Sequence, residues 1–335
     1  MPNPKAPNKS DGYRMAVLCN PRSGRVLREL DAIRELGREM GGELYREAAE
    51  PTEIAEALSD LTEMGVGTLC IIGGDGTVHG ALTALHASSP EEPWPVIAPV
   101  PAGSTNMTAR DLGAGGSLME RLLAIRAFWD GKGLQGQGAE GVLVSRPMLC
   151  VEHGDAEALC GMFFGAGTVA EGVRFFDQRL RGLQMGARHT SGLSLARVLL
   201  SVAVRGTRAE SVGCSVTKAV DGHAPTDHLC IFCLATTLHR LILGTRPYWG
   251  DEDGPVHFTL VEKSARAFWR SLPRIARGRP GAKLTPERGY LSQNANVVEL
   301  TLDGPFVVDG EVYHARAADG PCRITAPRTV QWLVP

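Results

Sequence analysis

The chain has 335 residues, 43% hydrophobic and 21% charged, which is enough to bury a substantial core and favours two domains over one. Thirty-five lysines and arginines against thirty-seven aspartates and glutamates leave a formal net charge of −2, so a global polyanion binder is excluded and nucleic acid is not an expected partner. Forty glycines and twenty-one prolines follow no repeating period, which removes collagen-like and low-complexity readings and assigns the glycines to turns and close backbone approaches.

In chain order, residues 1–12 (MPNPKAPNKSDG) are polar, lack an apolar stretch, and read as a disordered lead rather than a signal peptide. RMAVLCN (14–20) is a short apolar strand, after which Val26, Leu27, Leu30, Ile33, Leu36 and Met40 recur at helical spacing. ELYR (43–46) is a short strand. Pro51 and Thr52 open a helix with Ile54, Ala55, Leu58 and Leu61 on one face, and a strand follows over 66–72. A helix begins near Thr77, VIAPV (96–100) forms a strand, and helical stretches run to Leu112 and over 118–128. This alternation predicts an α/β domain over 13–135, a doubly wound parallel sheet with helices on both faces.

Beyond the glycine-rich segment 131–141 the pattern changes to short alternating strands. These are GVLVSRPMLCVE, ALCGMFFGAG, SVGCSVTKA, VHFTLVE, NVVELTL, FVVDGEVYHA, CRITA and VQWLV, with helices near 170–183, 192–204 and 263–277. Residues 136–335 are therefore expected to form a β-rich sandwich domain. No apolar run reaches the roughly 18–20 residues of a membrane-spanning helix, since 193–204 and 229–243 are broken by Arg197 and by His239 and Arg240. The expected location is cytoplasmic. Cys19, Cys70, Cys150, Cys160, Cys214, Cys230, Cys233 and Cys322 are scattered, mostly in apolar segments, as reduced buried thiols are. The CxxC of Cys230 and Cys233 has no second ligand pair at zinc spacing and reads as a buried strand.

Three turns each follow the carboxyl end of a predicted strand: Asn20-Pro-Arg-Ser-Gly24, Gly73-Gly-Asp-Gly-Thr77 and Pro101-Ala-Gly-Ser-Thr-Asn106. In an open parallel sheet such ends gather at one edge. Gly73, Gly74 and Gly76 let backbone amides point inward as an anion nest, and the following helix adds its positive end, so phosphates can be held without a lysine. Ser23, Thr77 and Ser104 add hydroxyl donors, with Asn20, Gly24, Gly103 and Asn106 completing the turns. Asp75 beside bound phosphates would be repelled unless a divalent cation such as Mg2+ intervened. No GxxxxGK[ST], GxSxG or HExxH is present, and His79 occupies the third glycine position of a GxGxxG alignment.

NPRSG, IIGGDGTVHGAL and PVPAGSTNMTARDLG, in this order and spacing, resemble the diacylglycerol kinase catalytic-domain family, which includes bacterial lipid kinases, sphingosine kinases and ceramide kinases. GGDGT is shared with NAD kinases and phosphofructokinases, while NPxSG and PAGS favour the lipid branch. The resemblance continues through FFGAGTVAEGV (163–173), 247–254 and VVDGEVYHA (307–315). It implies a nucleotide-binding domain over 13–135, a lipid-binding domain over 136–335, ATP as donor and a lipid hydroxyl as acceptor. Diacylglycerol and ceramide or sphingoid lipids are the acceptor classes, and PAGST without a following NDF tilts toward the latter. The resemblance also implies a catalytic carboxylate at Asp309-Gly310-Glu311, with Glu311 as general base and Asp309 its rival. PYWGDEDGPV (247–256) resembles the family segment that holds a structural Mg2+, which would fall to Asp253 and the carbonyls of Gly250 and Pro255.

The chain departs from the bacterial pattern at Met107, where Asp is usual, near 46–53, where the usual ATP-contacting Thr has no clear counterpart, and in LILGTR, which shortens a glycine-rich segment before Pro247. A soluble NAD kinase is a rival reading that lacks its Asn-Glu pair here, and a catalytically inactive lipid-binding module is the other. A lipid acceptor requires access to a bilayer. Residues 263–283 hold seven basic and no acidic side chains, interleaved with Phe268, Trp269, Leu272 and Ile275, and Arg174, Phe175, Phe176, Arg179, Arg181 and Arg188 form a smaller stretch. Peripheral association with an anionic membrane surface is expected, and a homodimer is compatible with the sequence.

Overall fold

The computed structural model describes residues 13–89, 91, 93–131, 142–173 and 213–335. Two compact units divide the chain, one running to Arg146 and including Thr329–Pro335, the other Pro147–Arg328.

In the first unit, β1 (Met15–Cys19), β2 (Tyr45–Glu47), β3 (Thr68–Gly73) and β4 (Val96–Pro101) form a parallel sheet in the order β2-β1-β3-β4. The final strand, β15 (Cys322–Val334), joins β4 in parallel through Trp332 and Ile97. Every residue of β1 and β3 is buried, as expected for strands covered on both faces. On one face Val17, Cys70, Ile72 and Val100 pack with Ile33 and Leu36 of α1 (Leu30–Gly41) and Leu122 and Ile125 of α5 (Leu118–Trp129). Opposite-parity residues Ala16, Leu18, Leu69 and Ile71 are equally buried, and α3 (Asp75–Ser88) packs on β3 with α2 (Pro51–Glu63) against it. The doubly wound sheet thus follows from the apolar strands and the one-sided helices.

Two helix starts differ from the periodicity. The 26–40 pattern begins as a single 3-10 turn at Val26–Arg28, closed by the Arg28 amide on the Arg25 carbonyl and the Glu29 amide on the Val26 carbonyl, before α1. α3 begins at Asp75, two residues before Thr77, because the Gly74 carbonyl accepts from both Thr77 and Val78 amides.

The second unit is antiparallel. Its strands are the end of β5 (Val142–Glu152), β6 (Leu159–Gly161), β7 (Phe163–Gly167), β8 (Cys214–Val220), β9 (Thr226–Thr236), β10 (Val256–Glu262), β11 (Tyr290–Ala295), β12 (Val297–Leu302), β13 (Gly304–Val308), β14 (Glu311–Ala315) and the start of β15. The order is β14-β13-β7-β9-β8-β12-β15, with β10 pairing β9 and β11. β9 is long enough for three partners: 226–230 pair with β8, and 232–236 with both β7 and β10. Phe164, Phe258, Val298, Leu300, Phe306 and Ile324 lie in one buried cluster, and Cys230 and Cys233 are fully buried in β9.

CRITA and VQWLV, expected as two strands, form the single β15. Its last residues return to the first unit, where Leu333 joins the core. That return, and a division at 146/147 within β5, differ from the expected boundary, which falls in 132–141 outside the described residues. Residues 168–173 are helical, while the rest of the helix expected over 170–183, and the one over 192–204, lie outside the described residues. α6 (Phe268–Ile275) is shorter than the expected 263–277. Among the described residues, no helix is long and apolar enough to cross a membrane.

Candidate functional site

The three glycine-bearing turns of the first unit meet at the carboxyl edge of the β1, β3 and β4 sheet. The Asn20 amide donates to the Ile72 carbonyl at 2.9 Å, and its side-chain Nδ2 donates to Thr77 Oγ1 at 3.0 Å. Its Oδ1 accepts from the Arg22 amide at 2.9 Å, so one asparagine shapes its own turn and ties it to the second. Ala102 donates its amide to the Gly73 carbonyl at 2.8 Å, bringing the third turn alongside. There Gly74 and Gly103 touch backbone to backbone: a Cβ on Gly103 would lie 2.7 Å from the Gly74 Cα. No side chain fits that contact, which explains both glycines.

Asn106 closes the third turn in a left-handed conformation, φ 47°. Its side chain accepts from the Gly103 amide at 2.7 Å and donates to the Gly103 carbonyl at 2.8 Å; asparagine tolerates this conformation because its amide compensates locally. Ser23 is half-buried, Ser104 is exposed, and Thr77 is buried. With Thr77 and Val78 bonded to Gly74, the amides of Asp75 and Gly76 have no acceptor within α3, at the end where the helix dipole is positive.

Asp75 is 8% exposed and accepts from the first amides of α4 (Met107–Asp111), whose N-cap residue is Asn106. One carboxylate oxygen accepts from the Thr105 hydroxyl at 2.5 Å and the Met107 amide at 3.0 Å, the other from the Thr108 amide at 3.1 Å. These donors meet its charge directly. Thr105 was not among the residues singled out from sequence; its hydroxyl bonds a carboxylate thirty positions earlier, which no local pattern signals. Arg25, whose Nη1 donates to the Pro101 carbonyl at 3.4 Å, was also missed.

The acidic hairpin belongs to the second unit. Asp309 (φ 47°) and Gly310 (φ 95°) link β13 to β14, the two-residue turn with both central residues at positive φ that Asp-Gly favours. Asp309 is 5% exposed. Its Oδ2 accepts from the Met162 amide at 2.9 Å, and its own amide donates to the Phe163 carbonyl at 3.0 Å. Glu311 is exposed. Tyr313, stacked on Phe306 at 5.6 Å, has its phenol pushed up to about 12 by burial and by the nearby charges of Glu311 and Asp309. The hairpin thus offers one fixed buried carboxylate and one exposed one.

The 247–256 segment is organised by Asn294 of β11. Its Nδ2 donates to the carbonyls of Gly250 (3.1 Å) and Glu252 (2.9 Å), and its amide donates to Glu252 Oε2 at 2.8 Å. His257 approaches the Asn294 Oδ1 at 2.7 Å and stacks on Tyr248 at 4.2 Å. Asp251, Glu252 and Asp253 are exposed. The Asp253 carboxylate with the Gly250 and Pro255 carbonyls is an all-oxygen donor set of the kind a hard cation takes, and the Gly250 carbonyl keeps a second lone pair beside its bond to Asn294.

α6 buries Phe268, Ser271 and Ile275 beside Val261, Leu284 and Tyr290, and leaves Trp269 41% exposed. Arg266, Arg270, Arg274, Arg277, Arg279 and Lys283 are exposed around it. The smaller basic stretch 174–188 lies outside the described residues.

Residues 14–131 match the model of the diacylglycerol kinase catalytic domain. Among solved structures, a candidate diacylglycerol kinase from Bacillus anthracis str. Sterne aligns with a TM-score of 0.61 at 15% identity, over 96% of this chain and 95% of its own. A diacylglycerol kinase from the same organism aligns at 0.56 and 14%, covering 96% and 97%. At these identities the likeness is one of fold. An NAD kinase from Archaeoglobus fulgidus in complex with ATP reaches only 0.46 at 13%, over 95% and 93%, and carries no argument. No curated protein matches the sequence.

Because the turns are held by buried polar bonds and a backbone contact, Asp75→Ala is expected to destabilise the protein by about 1–3 kcal/mol, leaving α4 amides without their acceptor. Gly103→Ala should also destabilise it. Chemical denaturation of the full chain measures both, and unchanged midpoints would contradict the described geometry.

Proposed function

We propose that the chain, whose residues 14–131 match the diacylglycerol kinase catalytic-domain model, is a lipid kinase that transfers the γ-phosphate of ATP to a hydroxyl of a membrane lipid, either diacylglycerol or a ceramide or sphingoid base. The observation that carries this reading is the meeting of three glycine-bearing turns at one sheet edge, with the free amides of an α-helix start among them. Backbone donors and a helix N-terminus suit the phosphates of a nucleotide. Asn20, Ser23, Gly24, Gly73, Gly74, Gly76, Thr77, Gly103, Ser104 and Asn106 form this proposed phosphate site, and Asp75 holds α4 in place beneath it.

Phosphoryl transfer to an alcohol asks little covalent chemistry of a protein beyond positioning, charge stabilisation and a proton acceptor. The exposed carboxylate of Glu311 suits that last role: the lipid hydroxyl gives its proton to Glu311 as its oxygen forms the new bond to phosphorus and ADP departs. Asp309, buried and tied to the Met162 amide, orients the turn. A Mg2+ ion at Asp253, Gly250 and Pro255 would be structural, holding together a segment whose three acidic side chains repel one another. The basic, tryptophan-bearing surface of α6 suits peripheral contact with an anionic leaflet.

The direct test is transfer of labelled phosphate from ATP to a panel of diacylglycerol, ceramide, sphingosine, monoacylglycerol and NAD, read by thin-layer chromatography. One lipid should be labelled, and Glu311→Gln should lower the rate about 10²- to 10⁴-fold. Full activity in Glu311→Gln would refute the base assignment, and labelling of NAD alone would refute the lipid reading. Replacing Arg270, Arg274 and Arg277 together with Glu should release the protein from sedimenting anionic vesicles; unchanged sedimentation would exclude this surface.

A further inference from the structure

Two thiols lie next to the acidic hairpin's support, and the proposed chemistry does not use them. Cys150 of β5 and Cys160 of β6 face each other directly across the antiparallel pair. They are 1% and 0% exposed, and their Sγ atoms are 3.9 Å apart without a bond between them. A disulfide places the sulfurs about 2.05 Å apart, so closing this pair moves them together by nearly half their separation. The Cys160 thiol donates to the Cys150 sulfur, which draws the Cys150 pKa below the ordinary thiol value against the opposing effect of burial. The two sulfurs are thus already in contact before either is oxidised.

The residues following Cys160 form the cradle of Asp309. A Cβ on Gly161 would lie 2.5 Å from Asp309 Oδ2, so the carboxylate rests against bare backbone. The Met162 amide donates to that same oxygen, and the Phe163 carbonyl receives the Asp309 amide. β6 has only three residues, and its strand partner is β5. Pulling Cys160 toward β5 therefore pulls on the backbone that fixes Asp309, whereas Cys150 sits within an eleven-residue strand and yields less.

We propose that Cys150 and Cys160 form a reversible disulfide when the protein meets a hydroperoxide, and that this bond displaces the 161–163 cradle and turns the hairpin off. The inference rests on the role given above to the Asp309–Glu311 turn. In the first step the Cys150 thiolate attacks one peroxide oxygen. A sulfur–oxygen bond forms, the O–O bond breaks, and the departing hydroxide takes a proton to become water. The Cys160 sulfur then attacks Cys150, the S–O bond breaks, and the hydroxyl leaves as a second water with the Cys160 proton. The two sulfurs lose two electrons and hydrogen peroxide gains them; a dithiol reverses the change.

The full chain, reduced and then treated with hydrogen peroxide, is alkylated and peptide-mapped while lipid phosphorylation is assayed in parallel. The expected result is a Cys150–Cys160 crosslink with activity lowered about 10-fold or more and restored by dithiothreitol. Cys150→Ala and Cys160→Ala should each keep the reduced rate and lose the sensitivity to peroxide. Thiols that all remain alkylatable would overturn the proposal, as would a crosslink formed only at Cys214 and Cys230, the other pair directly opposed across strands. So would a closed Cys150–Cys160 bond with unchanged activity. Should the reduced chain phosphorylate no lipid, the kinase reading fails separately and the map still decides the bond. The phenolate titration of Tyr313 then reports the cradle, identified against Tyr313→Phe: a shift on oxidation supports the displacement, and an unmoved titration with the bond closed overturns it.

Discussion

The contact between the backbones of Gly74 and Gly103 is the constraint on which the first unit's proposed chemistry depends. Two strand-to-helix turns can approach this closely only if neither carries a Cβ, and the approach brings the start of α3 beside the start of α4. Asp75 then reaches across and satisfies the hydroxyl of Thr105 and two α4 amides. A buried carboxylate without those donors would be costly, and the donors without it would be orphaned. Each half of the arrangement therefore requires the other. Asn20 extends the same logic to the first turn through Thr77.

The second unit handles its carboxylates differently. The tight Asp-Gly hairpin sends Asp309 inward, where the Met162 amide fixes it, and leaves Glu311 outward on β14. One acid is restrained and the other accessible, a division of labour that suits positioning and proton acceptance respectively. Its cost is dependence on a three-residue strand, β6, whose only cysteine faces another. A hairpin supported this way is sensitive to small movements of its support, and the proposed redox control draws on that sensitivity.

The parallel sheet was legible because its central strands, β1 and β3, are apolar on both faces and its helices on one, so period and order specify the layers. The three turns were legible as well, since glycine clusters after strands carry a direct geometric meaning. The partners of Asp75 were not: the donors that meet its charge come from residues thirty positions on, brought near only by folding. β11 escaped notice because YLSQNA alternates weakly, its place being set by pairing with β10 rather than by its own pattern. The organising role of Asn294 was hidden for the same reason. Cys150 and Cys160 read as separate buried thiols, because strand register, which no local pattern specifies, is what opposes them.

If the glycine turns are the seat of a bound nucleotide, ATP should protect their backbone amides together. Hydrogen–deuterium exchange of the full chain with and without ATP resolves this peptide by peptide. The account predicts slowed exchange in the segments 20–24, 73–77 and 101–108 at once. Unchanged exchange in all three at saturating ATP, with protection confined elsewhere, would contradict it.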